Sequence, residues 1–233
     1  MKRKNIIIIF AVIIILIAII SGLFALGFFN KTKTSSFDNN FMKGKFIGNV
    51  SEVPIPNSTI KDWYVSYNDD VNKISYNVST CKNASFLKDY LDLQGYKGPE
   101  TRNYSGQEWN IYSAQGVPNT NNTTNSTNNV TQKIVYNNYI CQADKNGQSY
   151  LIFIIYTSDG TSSAIKADGS VYCELFTEYI EPLLSSITLK HNDNAPEVYD
   201  LLGITKQDYD GLIYGLELYK NGTIDSNGNL ISS

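Results

Sequence analysis

The first stretch of the chain is almost uniformly apolar. From Ile6 to Phe29 only Ser21 and two glycines interrupt it. At 1.5 Å per residue it reaches roughly 36 Å, enough for a hydrocarbon core of about 30 Å. Lys2, Arg3 and Lys4 come just before it. By the positive-inside rule the basic end, residues 1–5, stays cytoplasmic and the rest is sent outside. The pattern predicts a single uncleaved signal-anchor helix at 6–29, lodged in membrane lipid. A signal cleaved at Ala25-Leu26-Gly27 is the alternative, but the stretch is long for one and Phe28-Phe29 continue it.

Beyond residue 29 the period changes. Residues 30–40 are polar and read as a stalk. Pro54 and Pro56 suit an edge strand or an extended lead-in. Trp63–Tyr67 and Lys73–Ser79 alternate as strands, with the turn at Asn68, Asp69 and Asp70. Phe86, Leu87, Tyr90 and Leu91 recur at helical spacing. Asn83 or Ser85 stands ready to cap that helix and Gly95 to close it. The segment "QEWNIYSAQ" is a further strand. "QKIVYNNYICQAD" and "SYLIFIIYTS" flank Lys145-Asn146-Gly147-Gln148, and Asn-Gly is the strongest short hairpin signal. Leu151 to Tyr156 is apolar on both faces, which predicts a central strand covered on both sides. From Val171 to Ile187 a broad apolar stripe predicts a helix, kinked or divided at Pro182. Short helices over Glu197–Leu202 and Thr205–Leu212 and a turn-rich tail complete the chain. The fold class is α+β: an antiparallel sheet flanked by helices at 41–190, with a C-terminal extension at 191–233.

Between two of these strands lies "NTNNTTNSTNNVT", residues 119–131, with no charge and one apolar side chain, Val130. Such a stretch buries too little apolar surface to offset ordering entropy, which predicts a mobile loop. On the outer side of a membrane N-x-[ST] is a glycosylation acceptor. Asn121, Asn122, Asn125 and Asn129 all begin such triplets and are the glycosylation candidates, with an unmodified spacer as the alternative. Further triplets begin at Asn30, Asn49, Asn57, Asn77, Asn83, Asn103 and Asn221.

Charge narrows the partners. Without Lys2, Arg3 and Lys4 the 19 basic residues fall to 16 against 22 acidic ones, a formal charge of −6. No basic cluster lies beyond the N-terminus, so a nucleic-acid partner is not expected. The 17 tyrosines share A/T-rich codons with Ile, Asn and Lys. Codon bias explains them, and surface aromatics that stack on sugars are the sharper reading. Of three cysteines, Cys81, Cys141 and Cys173, no two are closely spaced. Cys81–Cys141 is the disulfide candidate, since both fall on or at the end of strands; three buried free thiols are the alternative.

The chemistry-bearing residues form no recognised constellation. "VSTC", ending at Cys81, resembles the cysteine segment of sortases, but no His precedes it. His191, the single histidine, sits beside Asn192-Asp193-Asn194 as a solvated residue. Glu174, Glu178 and Glu181 read as a solvated helix face. "DSNGNL", from Asp225, has Leu230 where a calcium loop requires Gly. No catalytic, cofactor-binding or metal-binding residue is expected.

The Trp63 strand region, "SFLKDYL", "SYLIFIIY" and "YIEPLLSSITL" together resemble the PsbP-like domain over roughly 150 residues. The aromatic-Pro-x-Gly-Trp opening of that family is replaced by "VPIPNSTIKDW". The resemblance implies an antiparallel sheet flanked by helices and a binding or assembly role. The anchored, Asn-rich composition also resembles exported archaeal surface proteins. The expectation is a non-enzymatic module on the outer side of the cell membrane, facing an envelope protein or cell-wall polymer. The alternative is an anchored hydrolase that attacks envelope polymers through acidic residues.

Overall fold

In the computed structural model the residues described are 33–56, 60–116, 135–158, 174–226 and 228–231. The expected membrane segment, the loop at 119–131 and Cys173 lie outside them. The chain divides into two units, Met1–Lys33 and Thr34–Ser233, and the described sheets and helices lie in the second. Among the described residues no helix is long and apolar enough to cross a membrane.

The chain is α+β with antiparallel sheets and few helices. A small sheet holds strands β1 (Thr34–Asp38), β2 (Met42–Ile47) and β10 (Thr188–Leu189), in the order β1-β2-β10. The large sheet holds β3 (Ser51–Glu52), β4 (Tyr64–Asp69), β5 (Ile74–Lys82), β6 (Lys97–Tyr104), β7 (Gln107–Gly116), β8 (Val135–Lys145) and β9 (Gln148–Ser158). Its order is β3-β4-β5-β9-β8-β7-β6. Residues 34–38, expected in the stalk, are therefore a strand. Phe37 explains it: its ring stacks on Phe46 at 4.7 Å and lies 5.4 Å from Tyr67. One aromatic side chain fixes a segment that is otherwise polar.

The register follows from turn chemistry. Asn146 and Gly147 take φ of 52° and 78°, the left-handed pair an Asn-Gly hairpin needs. The β4–β5 turn falls later than the sequence predicts. Asn68 and Asp69 belong to β4, and Lys73 takes the positive φ. Asp69 is buried and accepts from Val71 N, Asn72 N and Asn72 Nδ2 at 2.7–3.1 Å. Gly48 passes so close that a Cβ there would meet Asp69 Oδ2 at 2.0 Å.

The main core lies on one face of the large sheet. Ile74, Tyr76, Val78, Ile111, Ile152 and Ile154 point into it from the strands. The small sheet covers part of this face. The rest is covered by a π-helical turn, Phe176–Ile180, that runs into helix α2, Glu181–Ser186. Pro182 sits in the first turn of α2, where its missing N–H is tolerated. Just before it the ladder widens, and Glu181 N reaches back to Phe176 O. The predicted break at Pro182 is this junction.

A second cluster joins helix α1 (Leu87–Leu93) to α3 (Val198–Leu202) and α4 (Lys206–Lys220) around Phe86, Val198 and Leu216. Helix α1 starts after Phe86 without a side-chain cap, so neither Asn83 nor Ser85 caps it. Gly95, at φ 79°, closes it as predicted. The extension at 191–220 is fastened to the sheet. Asn192 N donates to Gln148 Oε1, and Asn192 Nδ2 donates to Asp62 O at 2.6 Å.

Candidate functional site

The two described cysteines are buried free thiols, and the expected Cys81–Cys141 bond is not formed. Cys81 pairs with Ser149 of β9, and Cys141 pairs with Ile152 of the same strand. Ser149 and Ile152 differ by an odd number of positions, so the thiols point to opposite faces. Strand β9 also lies between their strands, which at about 4.8 Å per strand step exceeds disulfide reach. Burial pushes the Cys81 thiol up to about 12, with Asp144 and Glu197 adding to it. Burial alone pushes Cys141 up. Neither is a thiolate nucleophile near neutral pH.

The other candidates separate just as clearly. His191 is exposed and lies 3.3 Å from the exposed Asp193. Glu174 and Glu178 are exposed and Glu181 half-buried, a solvated helix face. The candidates Asn121, Asn122, Asn125 and Asn129 lie outside the described residues. Asn49, Asn103 and Asn221 are exposed, whereas the Asn77 side chain accepts from Tyr64 Oη at 2.8 Å.

Two carboxylates share one cavity. Asp38 and Glu52, with Tyr67, line a space of about 260 Å³ beside β1. Each holds a lysine: Asp38 pairs with Lys190, and Glu52 with Lys61 at 3.1 Å. The hydrogen bond from Lys190 holds the Asp38 carboxyl below its ordinary range. A glycosidase acid needs the opposite shift.

The sheet face opposite the main core has a different character. On β5 the outward residues Ser75, Asn77 and Ser79 are short and polar, and on β8 Asn138 and Gln142 flank the apolar Ile140. On β9 they are apolar: Leu151, Phe153 and Ile155, all half-buried while Ile152 and Ile154 are fully buried. The predicted cover on both sides of this strand is thus complete on one side and partial on the other. Helix α1 crosses part of the open face. It leaves a groove of about 280 Å³ lined by Tyr90, Leu91, Gln94, Tyr96, Ile140 and Phe153. The signal on β5 was in the sequence: "ISYNVS" alternates apolar with Ser or Asn, whereas "LIFIIY" is apolar throughout.

No known protein-family profile matches the chain, and no curated protein does. Among solved structures, a protein from Bacteroides thetaiotaomicron is similar at 7% identity and a TM-score of 0.40, over 69% of this chain and 49% of that one. The chain thus spans about half of that protein's length. Cyanobacterial PsbP (CyanoP) from Synechocystis is similar at 9% identity and a TM-score of 0.39, over 68% of this chain and 94% of that one.

Proposed function

We propose that the chain is a non-enzymatic binding module, anchored in the cell membrane through residues 6–29 and presenting the unit from Thr34 onward outside the cell. The observation that carries the binding role is the half-open sheet face with its apolar stripe and groove. A monomeric domain usually covers such a stripe or uses it to meet a partner. The outside location rests on the basic end, the apolar segment and the exposed acceptors Asn49, Asn103 and Asn221. The PsbP-like resemblance of the sequence implies the same kind of role. The acidic hydrolase is disfavoured by the cavity with Asp38 and Glu52, whose carboxylates are both held by lysine.

A photo-crosslinking residue at position 153 of the membrane-bound full chain tests this. In intact cells it should form an adduct with an envelope component, and the same residue at position 178 should not. An adduct at neither position, or only at position 178, overturns the binding reading.

A further inference from the structure

We infer that the open face of the seven-stranded sheet takes a neutral polysaccharide laid across the strands, its sugar rings on the β9 stripe and its hydroxyls on the flanking amide and hydroxyl rows. The inference deepens the binding reading by naming its ligand class.

The rows can be read from the register. One runs Ser66, Asn77, Phe153, Ile140, Tyr112 across β4, β5, β9, β8 and β7. The next on one side runs Asn68, Ser75, Ile155, Asn138, Ala114, and on the other Tyr64, Ser79, Leu151, Gln142, Asn110. None of these fifteen residues carries a charge, in a chain where 18% of residues do; Ser79, Tyr112 and Gln142 among them are buried and the other twelve are half-buried. The charged groups stand at the ends of the strands, Asp70 and Lys73 at one and Asp144 at the other, and on helix α1, where Asp89 acts on Tyr112 of the central row. A polyanion is bound through clustered lysine and arginine, and this face has neither. A lipid surface would meet desolvated amides on both sides of a narrow stripe, which costs free energy without compensation.

The same composition suits a neutral sugar polymer. Asn and Gln each offer donors and an acceptor, and Ser and Tyr hydroxyls do both. Tyr64 is bonded to Asn77 and Gln142 to Asp144, and Ser66, Asn68, Ser75 and Asn138 can meet a sugar hydroxyl in either role. Phe153, with Tyr90 and Tyr96 at the groove, supplies flat apolar rings with polar edges nearby. Adjacent strands lie about 4.8 Å apart, the scale of one sugar ring. Successive units would thus meet successive strands. The groove volume is just under the usual small-molecule range of roughly 300–1,000 Å³. It fits one ring of a longer polymer better than a whole engulfed ligand. The row residues sit on strands, so little is lost in ordering them.

The test uses the full chain in detergent micelles. Co-sedimentation with insoluble cellulose and chitin, and gel retardation in soluble mannan, are compared with gel retardation in polygalacturonate at low and high salt. At least one neutral polymer should retain the chain with no salt dependence. Phe153→Ser should weaken retention about ten-fold, the loss of one ring contact and its burial. Asn138→Asp, which keeps the side-chain shape, should weaken it in a chain whose urea midpoint is unchanged. Glu178→Gln should have no effect. Stronger or salt-sensitive retention by polygalacturonate, no retention by any of the three neutral polymers, or a self-association abolished by Phe153→Ser would overturn the inference. A crosslink from position 153 to a protein would do so too, and would leave the binding reading standing.

Discussion

Tyr76 and Tyr150 show how differently two buried hydroxyls act. Both side chains are almost fully buried. Tyr76 Oη has no hydrogen-bond partner. Tyr150 Oη lies 2.8 Å from Lys190 O and 2.9 Å from Gln148 Oε1, and its proton serves one or the other. Leaving a buried polar group unpaired costs about 1–3 kcal/mol. Tyr76→Phe should therefore be neutral or stabilising by about 1 kcal/mol, and Tyr150→Phe destabilising by about 1–2 kcal/mol. Urea midpoints at a common slope would check both. Alkaline pH acts on the same scale. Burial raises Cys81 from 9.0 to about 12, and Tyr67 and Tyr112 from 10.0 to about 12. These acids ionise first in the unfolded chain, which then binds fewer protons than the folded one. Their contribution is full below the unfolded value and is lost as pH rises above about 9. The stability of the unit should decline between pH 9 and 12, read from urea midpoints at each pH. Cys81 and Cys141 should resist a thiol reagent at pH 8 until the chain is unfolded.

At the scale of elements, helix α4 tests how firmly the C-terminal extension is held. Its start is a capping box: Thr205 Oγ1 accepts from Asp208 N at 3.1 Å, and Thr205 N donates to Asp208 Oδ2 at 3.3 Å. Its apolar side meets Phe86 through Tyr209, ring centroids 5.5 Å apart, and buries Leu216. The Lys220–Asp89 pair at 2.9 Å is largely exposed and adds little. Thr205→Ala should cost about 1 kcal/mol and Leu216→Ala about 2–5 kcal/mol. Hydrogen exchange should rise over 206–220 in both, while amides of β5, β8 and β9 stay protected, because the extension can open as a separate unit. The helix passes through Gly211 and Gly215, where the sequence predicts an end near Leu212. Packing of Leu212, Ile213 and Leu216 on the second cluster outweighs the roughly 1 kcal/mol that each glycine costs.

For the whole molecule, the anchored, outward-facing arrangement gives a direct prediction. Protease added to intact cells should digest the chain beyond about residue 35 and leave the apolar segment; complete protection would contradict the arrangement. If the acceptors Asn121, Asn122, Asn125 and Asn129 carry sugar, enzymatic deglycosylation should lower the mass of the membrane-extracted chain. Replacing the four by Gln should remove part of that shift. An unchanged mass before and after treatment would exclude the modification.

Local chemistry was legible wherever one residue type fixes a conformation. Asn146-Gly147 specified a hairpin, Gly95 a helix end, Pro182 a break, and the alternation around Tyr76 a strand. These depend on φ preferences and on a two-residue period, which the chain carries in itself. Long-range contact decided the rest. Phe37 turned a polar stretch into β1, and strand order put β9 between the two cysteines. Asn192 bound the extension to Gln148, and helix α1 closed only part of the β9 stripe. Which strands become neighbours depends on burial summed over the whole core, and no local window of sequence holds that sum.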